Sequence, residues 1–314
     1  MLQSLAGVPD LRASAQVPLS PYSRFGIGGP AAILAETASV SSFLEALRIV
    51  RQSGQPFVMI AGGSNLIVAD EGFPGIVVRY AASGIRADGT GVSADSGAEL
   101  QALVDFTIGR GLKGIETLTR IPGWVGGAVY GNAGAYGRSI SEVVRTVSYT
   151  DGEKVRTLTN AECEFRYRES IFKRRKDWII LSTELALQQA DAEELRRVAS
   201  EIERIRDQKF PPSMKCAGSI FKNLLIAELP PGTAAQVPED VIRDGKIPAA
   251  WFLEQVGAKG MAAGAIRVAD YHANLIYNDG GGTARDLRAL IAELKSRVHD
   301  RFDLTLEEEV QYIP

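Results

Sequence analysis

The sequence predicts a mixed helix-and-strand protein of two or more domains, and three observations carry this. Helical and strand-like apolar spacings alternate through the first 80 residues. A charged amphipathic helix at 191–210 is stopped by Pro211 and Pro212. A chain of 314 residues, 45% apolar and 23% charged, is long enough to build separate cores.

The elements follow in order. Leu44, Leu47 and Val50 recur at helical spacing and predict a helix near 41–51, followed by an apolar strand at Phe57–Ile60. AGGSNLIVAD comes next, then IVVRY at 76–80 as another strand. Asp-Gly pairs at 88–89 and 151–152 mark tight turns between short strands. Ser96-Gly-Ala-Glu99 has the capping-box pattern of a helix start, with Leu100, Leu103, Val104 and Ile108 on one face. DWIILSTELAL at 177–187 reads as a strand, and the helix at 191–210 closes this part of the chain. In the last part, AAWFLEQVG is helical and GAIRVAD a strand. The final helix opens at Thr283-x-x-Asp286 and carries Leu287, Leu290, Ile291, Leu294 and Val298, and LTLEEEVQYI reads as a last strand. The segments divide as 1–82, 83–210 and 211–314. No internal repeat or low-complexity tract interrupts them.

Composition excludes several classes. Thirty-five basic residues against 38 acidic ones are scattered, which is no nucleic-acid footprint, and KRRK at 173–176 reads as a solvated turn. Cys163 and Cys216 form neither a CxxC pair nor a disulfide framework, which fits a reducing compartment, and a structural zinc is not expected. No basic segment followed by an apolar run marks the N-terminus as a secretory signal, and no stretch reaches the apolar length of a membrane span. The expectation is a soluble cytoplasmic protein without nucleic-acid or membrane partners. Its oligomeric state is not set by the sequence, with which a monomer is compatible.

Ile121–Gly137, IPGWVGGAVYGNAGAYG, holds six glycines in an apolar setting. Such a stretch leaves room for something to approach the backbone closely. GGSN at 62–65 is a second glycine turn after a strand, and the two together can present bare N–H groups to one diphosphate. GxxxxGK[ST] is absent, which argues against a P-loop. Gly26-Ile-Gly28-Gly-Pro-Ala31 fits GxGxx[GA], but no strand leads into it, so a Rossmann site is not expected there.

Only His272 and His299 are available as histidines, which leaves few ways to form a Ser-His-Asp triad. Ser219 and the glutamates of LEEEV are candidates for proton work; in a strand, Glu307 and Glu309 face one side and Glu308 the other. Arg168 in YRES could clamp a carboxylate with its bidentate fork. The bland readings are a solvated terminal strand, a small residue fitted into a turn, and a surface arginine. Spacing alone goes no further than a non-Rossmann anion site with uncommitted polar groups.

Taken together, SRFGIGGPA, AGGSNLIV, IPGWVGGAVYGNAGAYG, YRESIFK, GSIFKN, GAKGM, HANLIYN and LEEEV resemble, in order and over most of the chain, the UDP-N-acetylenolpyruvoylglucosamine reductase family. The fold this resemblance implies is α+β: a two-part FAD-binding module of the vanillyl-alcohol-oxidase-like (PCMH) type, 1–82 and 83–210, and a C-terminal α+β substrate-binding domain, 211–314. It implies FAD held by Gly62, Gly63, Ser64, Asn65 and Leu66 in the first loop. In the second it implies Ile121, Pro122, Gly123, Gly126, Gly127, Asn132, Gly134, Ala135 and Tyr136. Both histidines lie late in the chain, so FAD is expected to be noncovalent.

The reaction implied is reduction of FAD by NADPH, then hydride transfer from flavin N5 to the enolpyruvyl CH₂ of UDP-N-acetylglucosamine enolpyruvate, giving UDP-N-acetylmuramate for peptidoglycan synthesis. By motif position Arg168 holds the developing enolate, Ser219 supplies the proton and Glu309 polarises the intermediate. Lys259, Asn223 and His272 match positions near the nucleotide diphosphate or sugar, with Tyr167 a further neighbour. Three departures stand out: Leu224 replaces the usual proline, LLIAELPPGTAAQVPEDVIRDGKI (224–247) is inserted, and Gln311 stands where some relatives carry arginine. The short span from YRESIFK to GSIFKN matches the class without the extra tyrosine loop. Two other readings are an FAD-dependent oxidase of an alcohol or sugar acid and a noncatalytic flavin or nucleotide-binding protein. The ordered C-terminal motifs, with Arg168, Ser219 and Glu309 all retained, favour the reductase.

Overall fold

A computed structural model describes residues 1–313, the side chain of Pro231 set aside. The chain forms two compact units. The first comprises Met1–Val17, Ala31–Gly63 and Pro74–Gln208, and the second Pro18–Pro30, Ser64–Phe73 and Lys209–Pro314. Two stretches of the N-terminal segment therefore group with the C-terminal one, and the chain passes from one unit to the other between Gly63 and Ser64, inside GGSN.

In the first unit a four-stranded sheet runs in the order Arg12–Pro18, Pro30–Thr37, Phe73–Tyr80, Phe57–Met59, the last two strands being parallel. The helix Val40–Gln52 is capped by Ser39, whose hydroxyl accepts from the Ser42 amide, and it buries Phe43, Ala46, Leu47 and Val50 against Ile76, Val78 and Tyr80. A five-stranded sheet follows in the order Val155–Thr159, Val144–Thr150, Ile179–Ala186, Gly91–Asp95, Ile85–Asp88, antiparallel throughout. The Asp-Gly turns join its outer hairpins as the sequence predicts. Leu181 of its central strand packs into the core of the first sheet, so the two halves share apolar contact.

The helix expected from Ser96 starts later, at Leu100, with Glu99 in extended conformation before it and no side-chain cap. The reason is tertiary. The Ser96 amide donates to Leu181 and its carbonyl accepts from Gly126, while Glu99 bridges Trp124, so residues 96–99 are used as a strand-like clamp.

The second unit contains an antiparallel sheet in the order Lys215–Ser219, His272–Asn278, Ile266–Ala269, Ala262–Ala263 and the helices Ala249–Gln255 and Ala284–Phe302. Thr283 and Asp286 form both halves of the expected capping box. Leu287, Leu290, Ile291, Leu294 and Val298 are buried with Phe25, Ile27 and Ile67 in one core.

The expected strand over LTLEEEVQYI is realised only at Gln311–Ile313, which pairs in parallel with Leu66–Val68. Upstream, Glu307, Glu308 and Glu309 follow an irregular path set by neighbouring backbone, not a two-faced strand. The 224–247 insertion is packed. Leu224–Leu225 and Lys246–Ile247 close it as a hairpin, Val237 and Ile247 enter the core, and the Thr233 hydroxyl donates to the Phe302 carbonyl at 2.9 Å.

The Gly26–Ala31 stretch is preceded by a short 3-10 turn, Ser20–Tyr22, and not by a strand. A methyl group on Gly29 would come within 2.3 Å of the Asp70 carbonyl oxygen, and one on Gly72 within 2.0 Å of that of Pro30. These glycines let two backbone segments of the second unit cross. Among the described residues no helix is long and apolar enough to cross a membrane.

Candidate active site

In the first unit the two glycine loops are joined by a tryptophan. Trp124 lies against Gly62, where a methyl group would meet its ring at 2.9 Å. The buried Arg79 stacks over the same ring, 4.4 Å from the indole centroid, donates to the Ala61 carbonyl at 3.2 Å and pairs with Glu36. Loop 61–63 and loop 121–127 are thus set by one cation, one ring and one missing side chain. Arg79 belongs to no motif, and Trp124, though inside the Ile121–Gly137 stretch, was not singled out there; their convergence in space reveals them.

The six glycines of Ile121–Gly137 divide by what surrounds them. Gly126 is required by the protein itself, since a methyl there would reach Ser96 Cβ at 2.7 Å, and Gly134 likewise, at 2.5 Å from the Arg138 carbonyl. Gly127 is exposed, and a methyl on it would meet no atom within 4 Å. Here the backbone is bare toward open space, which fits a large ligand held without a covalent bond. The buried Asn132 is committed at both ends of its side chain, donating to the Arg166 carbonyl at 2.8 Å and accepting from the Ser141 amide at 3.2 Å.

Arg168 sits on a tight turn whose ends, Arg166 and Glu169, exchange backbone hydrogen bonds of 3.0 and 3.1 Å. Its φ is 56°, a conformation that disfavours a side chain by roughly 1 to 2 kcal/mol. The glycine loop over-determines that turn. Asn132 holds the Arg166 carbonyl, the Ser170 hydroxyl donates to Tyr130 at 2.7 Å, and the Arg168 guanidinium donates to Gly134 at 3.0 Å. Lys173 donates to the Arg168 carbonyl at 2.6 Å, and the Tyr167 ring centroid lies 5.3 Å from the guanidinium carbon. A planar cation is thereby held on a turn of left-handed backbone, with one nitrogen donating to Gly134, and its planar fork is of the kind that matches a carboxylate.

In the second unit Ser219 ends the strand Lys215–Ser219 immediately after a bulge. Between Cys216 and Ser219 the strand holds one residue more than its partner, and Gly218 absorbs it with a φ of 81°. The chain then leaves the ladder, and the Ile220 carbonyl accepts the Glu309 amide at 2.7 Å. Ser219 and Glu309 are therefore on adjoining, hydrogen-bonded tracts. Glu309 is fixed from the other side by Asn65, whose carboxamide donates to the Glu309 carbonyl at 2.7 Å and whose own carbonyl accepts the Gln311 amide at 2.9 Å. The Asn65 side chain thus holds the carboxylate-bearing tract, while Ser64 and Leu66 flank it.

The remaining predicted substrate residues lie in the same unit. Asn223 accepts from the Ala249 amide at 3.3 Å, at the start of the helix Ala249–Gln255. Lys259 pairs with Glu254 at 2.8 Å on an exposed surface. His272 is partly buried, its Nε2 has no hydrogen-bond partner, and its pKa is pushed down to about 4 by burial, with Lys209 and Lys259 adding to the effect. A neutral ring with an unsatisfied nitrogen beside two cations suits a polyanionic ligand. The buried Lys222, paired with Glu307, was not singled out in the sequence; its amide also donates to the Glu307 carbonyl at 2.9 Å.

Known proteins with these features are consistent with one another. A family model of an FAD binding domain matches residues 31–157, and one of the UDP-N-acetylenolpyruvoylglucosamine reductase C-terminal domain matches residues 208–313. A UDP-N-acetylenolpyruvoylglucosamine reductase of Solibacter usitatus is 61% identical over 309 residues, covering 98% of this chain and 99% of its own. One from Bacillus subtilis is 31% identical over 303 residues, covering 95% and 93%. Among solved structures, the UDP-N-acetylenolpyruvylglucosamine reductase of Thermus caldophilus superimposes with a TM-score of 0.75 at 28% identity, covering 97% of this chain and 99% of its own.

Proposed function

This chain belongs to the UDP-N-acetylenolpyruvoylglucosamine reductase family, and from that premise we propose how its residues perform the reaction. The protein is an FAD-containing, NADPH-dependent oxidoreductase that reduces UDP-N-acetylglucosamine enolpyruvate in peptidoglycan synthesis. FAD, when bound, supplies the chemistry of accepting a hydride from NADPH and passing it to the enolpyruvyl CH₂ carbon. Gly62, Gly63, Ser64, Asn65, Leu66 and the backbone of 121–136 would hold it, including Ile121, Pro122, Gly123, Gly126, Gly127, Asn132, Gly134, Ala135 and Tyr136.

Arg168 accepts the substrate carboxylate and the negative charge that builds on it, with a guanidinium already oriented by its turn. Ser219 gives its hydroxyl proton to the carbon next to that carboxylate. A serine is a poor acid in water, so its contribution rests on placement against a developing carbanion and not on a lowered pKa. Glu309, on the adjoining tract, polarises the intermediate. Lys259, His272, Asn223 and Tyr167 would receive the diphosphate and sugar. What most supports this reading is the bond from the Glu309 amide to the Ile220 carbonyl, which ties the proposed acid and its partner into one backbone frame.

The first experiment is anaerobic NADPH consumption with and without UDP-N-acetylglucosamine enolpyruvate. Turnover that requires substrate is expected; a flavin reduced once and never reoxidised by substrate would remove the substrate assignment. Ser219→Ala and Arg168→Ala should each slow reoxidation by roughly 10² to 10⁴-fold while leaving reduction by NADPH within a few-fold.

A further inference from the structure

We propose that Asn274 is a positioning residue for Ser219 and Glu309, an inference that rests on the catalytic roles assigned to those two. Asn274 lies in the strand His272–Asn278 and is almost fully buried. Its carboxamide oxygen accepts the Phe221 amide at 2.9 Å and its carboxamide nitrogen donates to the Phe221 carbonyl at 2.9 Å. Its own backbone carbonyl accepts the Ile220 amide at 3.1 Å.

These three bonds lie just beyond the point where the ladder fails. Ser219 still pairs with Leu275 and the Ile220 amide still reaches the strand at the Asn274 carbonyl, but at Phe221 the bonds pass from strand backbone to a side chain. The Asn274 side chain takes over, presenting one acceptor and one donor to the N–H and C=O of a single residue as a neighbouring strand would. The opposite edge of the same tract holds the glutamates. Ile220 accepts from Glu309, Phe221 bridges Glu308, and the Lys222 amide donates to Glu307. The tract from Ser219 to Lys222 is therefore gripped by Asn274 on one edge and carries Glu309 on the other. Removing the grip frees both groups at once, although Asn274 need not touch substrate. Being buried and bonded to Ile220 and Phe221, it acts through Ser219 and Glu309.

The test separates the two half-reactions in FAD-loaded enzyme. With Asn274→Ala, reoxidation of reduced enzyme by UDP-N-acetylglucosamine enolpyruvate should slow by about 100-fold, the effect of a displacement near 1 Å, while reduction by NADPH stays within about twofold. Asn274→Asp keeps the shape and the acceptor for the Phe221 amide; it should lose about tenfold and remains informative where the alanine variant fails to fold. In a Ser219→Ala background the Asn274 change should add no more than about twofold, because groups acting as a unit are not additive.

Equal slowing of both half-reactions, no slowing, or full additivity overturns the proposal. Amide hydrogen exchange supplies a readout independent of turnover. Asn274→Asp should raise exchange at Phe221 and Glu309 but not at Ile276, deeper in the sheet. Unchanged exchange at Glu309 overturns the proposal whatever the kinetics. Should Ser219→Ala fail to slow reoxidation, the catalytic reading of Ser219 falls on its own, and the exchange result alone then decides whether Asn274 positions Glu309.

Discussion

Two glycine-rich regions of this chain look alike in sequence and do opposite things. Gly29 and Gly72 let backbone meet backbone inside the second unit, and Gly28 makes room for the Val68 side chain. In Ile121–Gly137 the space is shared. Gly126 and Gly134 serve internal packing, Gly62 accommodates Trp124, and Gly127 leaves its backbone open. Glycine density therefore reports close approach without saying what approaches. The identity of the neighbour is a tertiary fact.

Substitutions can break that contrast. Gly72→Ala should produce the largest effect. With a φ of 80° and a backbone oxygen 2.0 Å from the new methyl, no side-chain adjustment can relieve it, and a loss above about 3 kcal/mol is expected in denaturant unfolding. A variant as stable as the parent would show that the crossing is not tight.

Trp124→Ala should cost roughly 2 to 3 kcal/mol by removing the ring that both Arg79 and Gly62 meet, and it should weaken FAD binding as well. Weakened binding with unchanged stability would mean that the ring touches ligand and does not organise the loops.

Acid distinguishes the two units. In the unfolded chain His272 takes up a proton near pH 6.5, but in the native unit only near 4. Stability from this group is thus intact above about 6.5 and is lost as pH falls toward 4, on the order of 2 kcal/mol after allowance for its partial exposure. Over the same interval Asp151 in the first unit, held at about 2 chiefly by the Lys154 and Glu153 amides, keeps its charge. Urea titrations at pH 7 and pH 4.5 should show the loss in the parent and not in His272→Gln.

The smallest change is the most diagnostic. Gly127→Ala should leave stability equal or raise it by up to about 1 kcal/mol through helix propensity, yet weaken FAD about tenfold by placing a methyl where the backbone is now bare. Unaltered FAD affinity would make Gly127 a plain surface glycine.

Local signals were legible wherever local physics decided the outcome. Thr283 and Asp286 cap a helix as their spacing requires, and the helix expected near 41–51 forms at Val40–Gln52, where Leu47 and Val50 are buried but Phe43 and Ala46, not Leu44, complete the face. Ser96 fails because Leu181 and Gly126 use its backbone first. The glutamates at 307–309 fail as a strand because Ile220 and Lys222 set their path. The candidate site divides in the same way. Motifs named Arg168, Ser219 and Glu309, whereas Arg79 lies outside them and Trp124 and Asn274, though within IPGWVGGAVYGNAGAYG and HANLIYN, have roles that only their spatial neighbours disclose. The insertion at 224–247 pairs its ends across two dozen residues, a contact no local window contains.

The interleaving of the units bears on how the protein can be made. Phe25, Ile27 and Ile67 leave the ribosome early, yet the residues that bury them, including Leu287, Leu290 and Ile291, are synthesised last. The second unit therefore cannot mature by domain-wise folding during translation, and its closure depends on contacts of long sequence separation. An excised piece beginning at Lys209 would also lack Leu66–Val68, the partner of its final strand. The sequence boundary near residue 208 is thus no place to divide the gene.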